Sequence, residues 1–179
     1  MKKVFLAMAA AAMLFVGCSK DDDNQTIDDT FTAEKVNCTY KLMLDTPNVT
    51  ELRKAFSLYV DYYDKDGQIQ NTEEYIAADF TWQVNVERTA IPSWYGFRFR
   101  LTPKSDLSDI EQSATFAFTA TLSIEGVCTA ANGQTKTFGS QSTLDQSGIT
   151  PFVDVTYGKC MLFKVMSDGT AEKHETWVE

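Results

Sequence analysis

The chain reads as all-β, a single antiparallel sandwich of short strands. Three observations predict this. Apolar and polar residues alternate at period two through most of residues 33–179. Turn dipeptides that supply positive φ separate these runs. No apolar stripe keeps helical spacing long enough for a sizeable helix.

In chain order, Val36, Cys38, Tyr40, Leu42 and Leu44 share one face, with Asn37, Thr39 and Lys41 on the other. Thr50 to Lys54 (TELRK) predicts a turn or two of helix. Phe56, Leu58, Val60 and Tyr62 resume the alternation, which turns Tyr59 and Tyr63 away from the core. After the Asp66-Gly67 turn come Phe80, Trp82, Val84 and Val86, then Tyr95, Phe97, Phe99 and Leu101. This last run leaves Trp94, Arg98 and Arg100 on its outward face. Asp106 to Gln112 predicts a second helical turn. The cleanest strand places Phe116, Phe118, Ala120, Leu122 and Ile124 inward and Thr115, Thr119, Thr121 and Ser123 outward. Asn132-Gly133 follows as a turn, and Val153, Val155 and Tyr157 read as a further short strand. Met161, Phe163 and Val165, the Asp168-Gly169 turn and a segment ending at Trp177 and Val178 close the chain. Many short strands joined by hairpin turns imply an immunoglobulin-like β-sandwich. A closed, lipocalin-like up-and-down β-barrel is the alternative. There is no internal repeat, so residues 33–179 are expected to form one domain.

Residues 1–17 (MKKVFLAMAAAAMLFVG) have a positive end followed by an uncharged apolar run. That run is too short for a bilayer, which needs about 20 apolar residues, and has the proportions of a secretory signal peptide. Phe15-Val16-Gly17-Cys18 resembles a bacterial lipobox, with Phe15 where Leu is commoner. The resemblance implies a lipid on Cys18, with cleavage before it and acylation of the new amine. Each buried CH₂ contributes about 0.8 kcal/mol, so two or three acyl chains anchor a domain stably where one would not. Lys20, Asp21, Asp22 and Asp23 follow directly, in a stretch that resembles the surface-export signal of Bacteroidota lipoproteins. This implies the outer leaflet of the outer membrane, with the domain facing the cell exterior. Residues 18–32 have almost no apolar content and are expected to form a disordered tether.

Composition bounds the function. The chain has 179 residues, 44% hydrophobic and 12% aromatic, enough for a substantial core. Its formal net charge of −9 becomes −11 once Lys2 and Lys3 leave with the signal peptide. An acidic domain without a basic patch is a poor nucleic-acid ligand and gains nothing from an anionic membrane surface. Membrane attachment therefore falls to the lipid. With Cys18 lipidated, Cys38, Cys128 and Cys160 remain, either as one disulfide and a free thiol or as three buried thiols. None has CxxC spacing and His174 is the only histidine, so neither a zinc site nor a cofactor is expected.

Two segments carry candidate chemistry. Asp61 to Gly67 (DYYDKDG) has carboxylates spaced somewhat like a calcium loop, but Tyr62 stands where an EF-hand needs an acid and no closing Glu follows. A hairpin turn accounts for it. Trp94, Arg98 and Arg100 are the candidate ligand-binding residues, with Tyr59 and Tyr63 completing an aromatic platform if their strands are neighbours. An exposed tryptophan beside arginines stacks on a sugar ring or holds an acidic group. The competing account pairs these arginines with the protein's own carboxylates. G-x-S-x-G, H-E-x-x-H and phosphate-loop motifs are absent. The expectation is a non-catalytic surface lipoprotein that binds a glycan or another surface protein. The alternatives are a lipocalin-like carrier of a small apolar ligand and a carboxylate-based hydrolase.

Overall fold

The computed structural model describes residues 31–179. The signal peptide, Cys18 and Lys20 to Asp23 lie outside the described residues.

Nine strands and one short helix follow in order: β1 (Ala33–Asp45), α1 (Val49–Ala55), β2 (Phe56–Tyr63), β3 (Ile69–Glu74), β4 (Phe80–Arg88), β5 (Ser93–Pro103), β6 (Phe116–Ala130), β7 (Thr135–Ile149), β8 (Tyr157–Val165) and β9 (Ala171–His174). They form two antiparallel sheets, of order β4-β1-β6-β7 and β3-β2-β5-β8-β9. The architecture is an antiparallel β-sandwich. Both sheets keep two edges, so the closed barrel does not form.

The inward faces are the ones that the alternation assigns. In the first sheet Tyr40 and Leu42 of β1 stand opposite Ile124 and Leu122 of β6, all fully buried. In the second, Leu58 and Val60 of β2 meet Leu101 and Phe99 of β5. Aromatic rings join the layers: Phe99 meets Phe118 edge-on at 6.2 Å, and Tyr40 stacks on Phe97 at 5.9 Å. Each such side chain contributes about 1.5–3 kcal/mol on leaving water, so the interlayer core carries the stability of the fold.

The three expected turns join β2 to β3, β6 to β7 and β8 to β9. Their glycines Gly67, Gly133 and Gly169 have φ of 76°, 81° and 75°. Thr50 to Lys54 is helical within α1, which buries Leu52 and Ala55. At Asp106 to Gln112 no helix forms. Asp106 Oδ1 accepts from the backbone N–H of Ser108 at 3.1 Å and its hydroxyl at 2.8 Å, a local turn that competes with helical bonding. Val153 and Val155 are exposed and outside any strand, because Val155 N–H donates to Val153 C=O at 2.8 Å in a tight turn. Trp177 and Val178 also leave the sheet, since β9 ends at His174. Phe31, assigned to the tether from sequence, packs against the core with Lys136 Nζ 4.6 Å above its ring.

Candidate binding face on the five-stranded sheet

The outward face of the second sheet gathers all five candidate residues. Registers across β3, β2, β5 and β8 set them in rows. Asn71, Asp61, Arg98 and Cys160 form one, and Glu73, Tyr59, Arg100 and Gly158 the next. Tyr63 lies a step beyond the Tyr62–Phe97 pair, and Trp94 sits opposite Lys164. Strand spacing separates Trp94 from Arg98, four residues along β5, by about 13 Å.

Asp61 is the centre. Arg98 Nε donates to its Oδ2 at 2.6 Å, Arg100 Nε to the same oxygen at 3.0 Å, and Arg100 Nη2 to Oδ1 at 3.2 Å. Asn71 Nδ2 also donates to Oδ1. Burial alone pushes this carboxyl up, but the bonds from Arg98, Arg100 and Asn71 outweigh it and hold it below the usual range. Asp61 is therefore a fixed anion.

The chain's last residues fold over this centre. The Trp177 ring lies 5.0 Å from that of Tyr63 and 5.0 Å from Arg98 Cζ. Tyr63 hydroxyl donates to Val178 C=O, Cys160 Sγ donates to Glu175 C=O at 3.0 Å, and Arg98 Nη2 donates to Glu179 Oε1 at 3.3 Å. Tyr63 is buried in consequence, outward-facing as it is. Beside Trp177 opens a shallow cleft of about 390 Å³, lined by Arg98, Arg100, Gly158, Lys159, Glu175 and Trp177 among others. Gly158 has a steric reason to lack a side chain, since a Cβ there would lie 2.2 Å from Phe99 C=O.

The sequence-derived platform is thus partly regrouped. Arg98 and Arg100 come together, and Tyr59 joins them with Arg100 Cζ 5.6 Å above its ring. Both arginines pair with the protein's own carboxylate, the competing account given above. Trp94 stands apart, edge-on to His174 at 4.8 Å with Lys164 Nζ 5.7 Å from its ring. The tryptophan beside the arginines is Trp177. In the Asp61–Gly67 segment, Asp64 Oδ1 accepts the N–H of Asp66 and of Gln68, both at 2.9 Å, which commits it to the hairpin turn. Among the described residues, no group of three or more His, Cys, Asp or Glu is arranged to hold a metal ion.

Two further features stand outside this face. A cavity of about 510 Å³ lies at one end of the sandwich, with Glu51, Asp109 and Glu111 around Ile110 and Phe116. It meets none of the five candidate residues. Arg88 is buried between the layers, where Nη1 donates to Ser93 Oγ and Nη2 to Trp94 C=O, each at 2.6 Å, and its Cζ sits 4.1 Å from the Tyr95 ring. Continued alternation through Phe80, Trp82, Val84 and Val86 already points it inward. The three described cysteines are unpaired, and burial pushes the Cys38 thiol well up against the opposing effect of Arg88, as expected of a structural thiol.

Comparison of the chain with protein-family models, with curated proteins and with solved structures finds no match.

Proposed function

We propose that this chain is a lipid-anchored protein of the outer-membrane surface, attached through Cys18 and displayed outward, whose β-sandwich is a non-catalytic binding module. The observation that supports binding over catalysis is the state of Asp61. Its carboxylate is ionised and bonded to two guanidinium groups and an amide. Such a group shapes a recognition surface and exchanges no proton near neutral pH. Around it, Tyr59, Arg100, Arg98 and Trp177 offer ring faces and N–H donors on one side of a rigid sheet, the combination that suits a sugar ring. A single stacked ring of this kind contributes about 0.5–1.5 kcal/mol, so each contact is weak and many copies on one surface supply avidity.

A glycan array tests the reading, with wild type, Arg100→Gln and Trp94→Ala compared at matched melting temperature. The expected result is saccharide binding by wild type, loss in Arg100→Gln and retention in Trp94→Ala. Absence of wild-type binding to every saccharide overturns the glycan reading. Loss in Trp94→Ala with retention in Arg100→Gln moves the site to the other end of the face.

A further inference from the structure

We infer that the Glu179 side chain occupies a carboxylate subsite on Arg98, and that the ligand of this face is a saccharide bearing a ring carboxylate. The inference rests on the binding reading above and names its substrate class. Charge is the first ground. Two guanidinium groups face one buried carboxylate, so the cluster keeps one net positive charge after Asp61 is counted. Donor geometry is the second. Asp61 takes Arg98 Nε together with Arg100 Nε and Nη2, which leaves the Nη groups of Arg98 for a second anion. That anion is Glu179, held at 3.3 Å with its side chain 80% exposed. An exposed pair contributes little, so a better-placed carboxylate displaces it.

Surroundings are the third ground. The Trp177 ring lies 5.0 Å from Arg98 Cζ, and both side chains line the 390 Å³ cleft. Gly158, opposite Arg100, projects no side chain into that cleft. A uronate fits this arrangement, with its carboxylate on Arg98 and its ring against Trp177. Only the Glu179 side chain has to move, and Trp177 remains as the wall.

The test uses the full chain and two saccharide probes, oligogalacturonate and its fully methyl-esterified form, with the peptide Thr-Trp-Val-Glu as a third, and binding is read by calorimetry at physiological salt. Wild type is expected to prefer the acid. Glu179→Gln removes the internal competitor, so its affinity for the acid rises by up to about fivefold while that for the ester stays unchanged. Glu175→Gln removes a like charge from the cleft rim and frees no arginine donor, so it shifts affinity by less than about twofold. Acid binding unchanged in Glu179→Gln, or an equal gain for acid and ester, overturns the subsite and leaves the binding reading standing. Failure of both probes to bind any of the three proteins overturns the saccharide assignment altogether. Binding of the peptide Thr-Trp-Val-Glu in place of either probe makes the face a peptide site and overturns it too.

Discussion

Arg98 Nε donates to Asp61 Oδ2 at 2.6 Å, and Asp61 is only 2% exposed although it lies on the outward face of its sheet. Two arginines and Asn71 close around its carboxylate. Replacing it with asparagine strands two guanidinium groups of 25% and 35% side-chain exposure, which water partly rescues. Removing one partner of a fully buried pair costs about 3–5 kcal/mol, so Asp61→Asn is expected to cost about 1–3 kcal/mol here. Urea denaturation checks this, and an unchanged midpoint would refute a structural role for the cluster.

The same carboxylate predicts an acid limb. Its folded pKa lies below the ordinary value, so its contribution is full above the unfolded pKa, about 3.9, and is lost as pH falls through the folded one. Stability of wild type should therefore fall below about pH 4 more steeply than that of Asp61→Asn. Parallel acid limbs in circular-dichroism titrations of the two proteins would contradict the assignment.

Phe118 and Thr119 are consecutive on β6 and point to opposite faces, Phe118 into the core against Phe99 and Thr119 onto the outer face of its sheet. Phe118→Ala should cost about 3–5 kcal/mol, enough to unfold a domain of typical stability. Thr119→Ala should stay within about 1 kcal/mol. Equal denaturation midpoints would reverse the register.

Anchoring is tested outside the sandwich. Cys18→Ala is expected to release the domain from membranes or leave it as unprocessed precursor. Replacing Lys20 to Asp23 with alanines is expected to leave it anchored and shielded from protease added to intact cells. Mature Cys18→Ala protein in a salt-washed membrane pellet, or equal cleavage of both anchored forms, argues against the respective role.

Period-two alternation was enough to sort Tyr59, Tyr63, Trp94, Arg98 and Arg100 to the outward faces of their strands, because side-chain direction is a local property of extended backbone. It is silent on which strands become neighbours. Asp61 and Arg98 are separated by 37 residues, and only the β2–β5 register brings them into one row. Asp61 stood in view in a segment whose spacing drew attention to calcium. The tail was less legible still. Its residues after His174 have no periodicity, and what fixes them is a set of contacts with Tyr63, Arg98 and Cys160 contributed by three different strands. Val153 and Val155 show the opposite error, where two alternating valines suggest a strand and a local turn takes their backbone.

The first strand enters the sandwich at the end that carries the Asn132-Gly133 and Asp168-Gly169 turns, with Ala33 N–H bonded to Ser167 C=O at 2.7 Å. The strands run lengthwise from that end, and β1 leaves the sandwich at the other, next to α1. A 13-residue β1 at about 3.3 Å per residue makes the molecule about 40 Å tall. The arginine face runs along the side of the molecule between its two ends, and α1 with the 510 Å³ cavity sits at the end farthest from where the chain enters the sandwich.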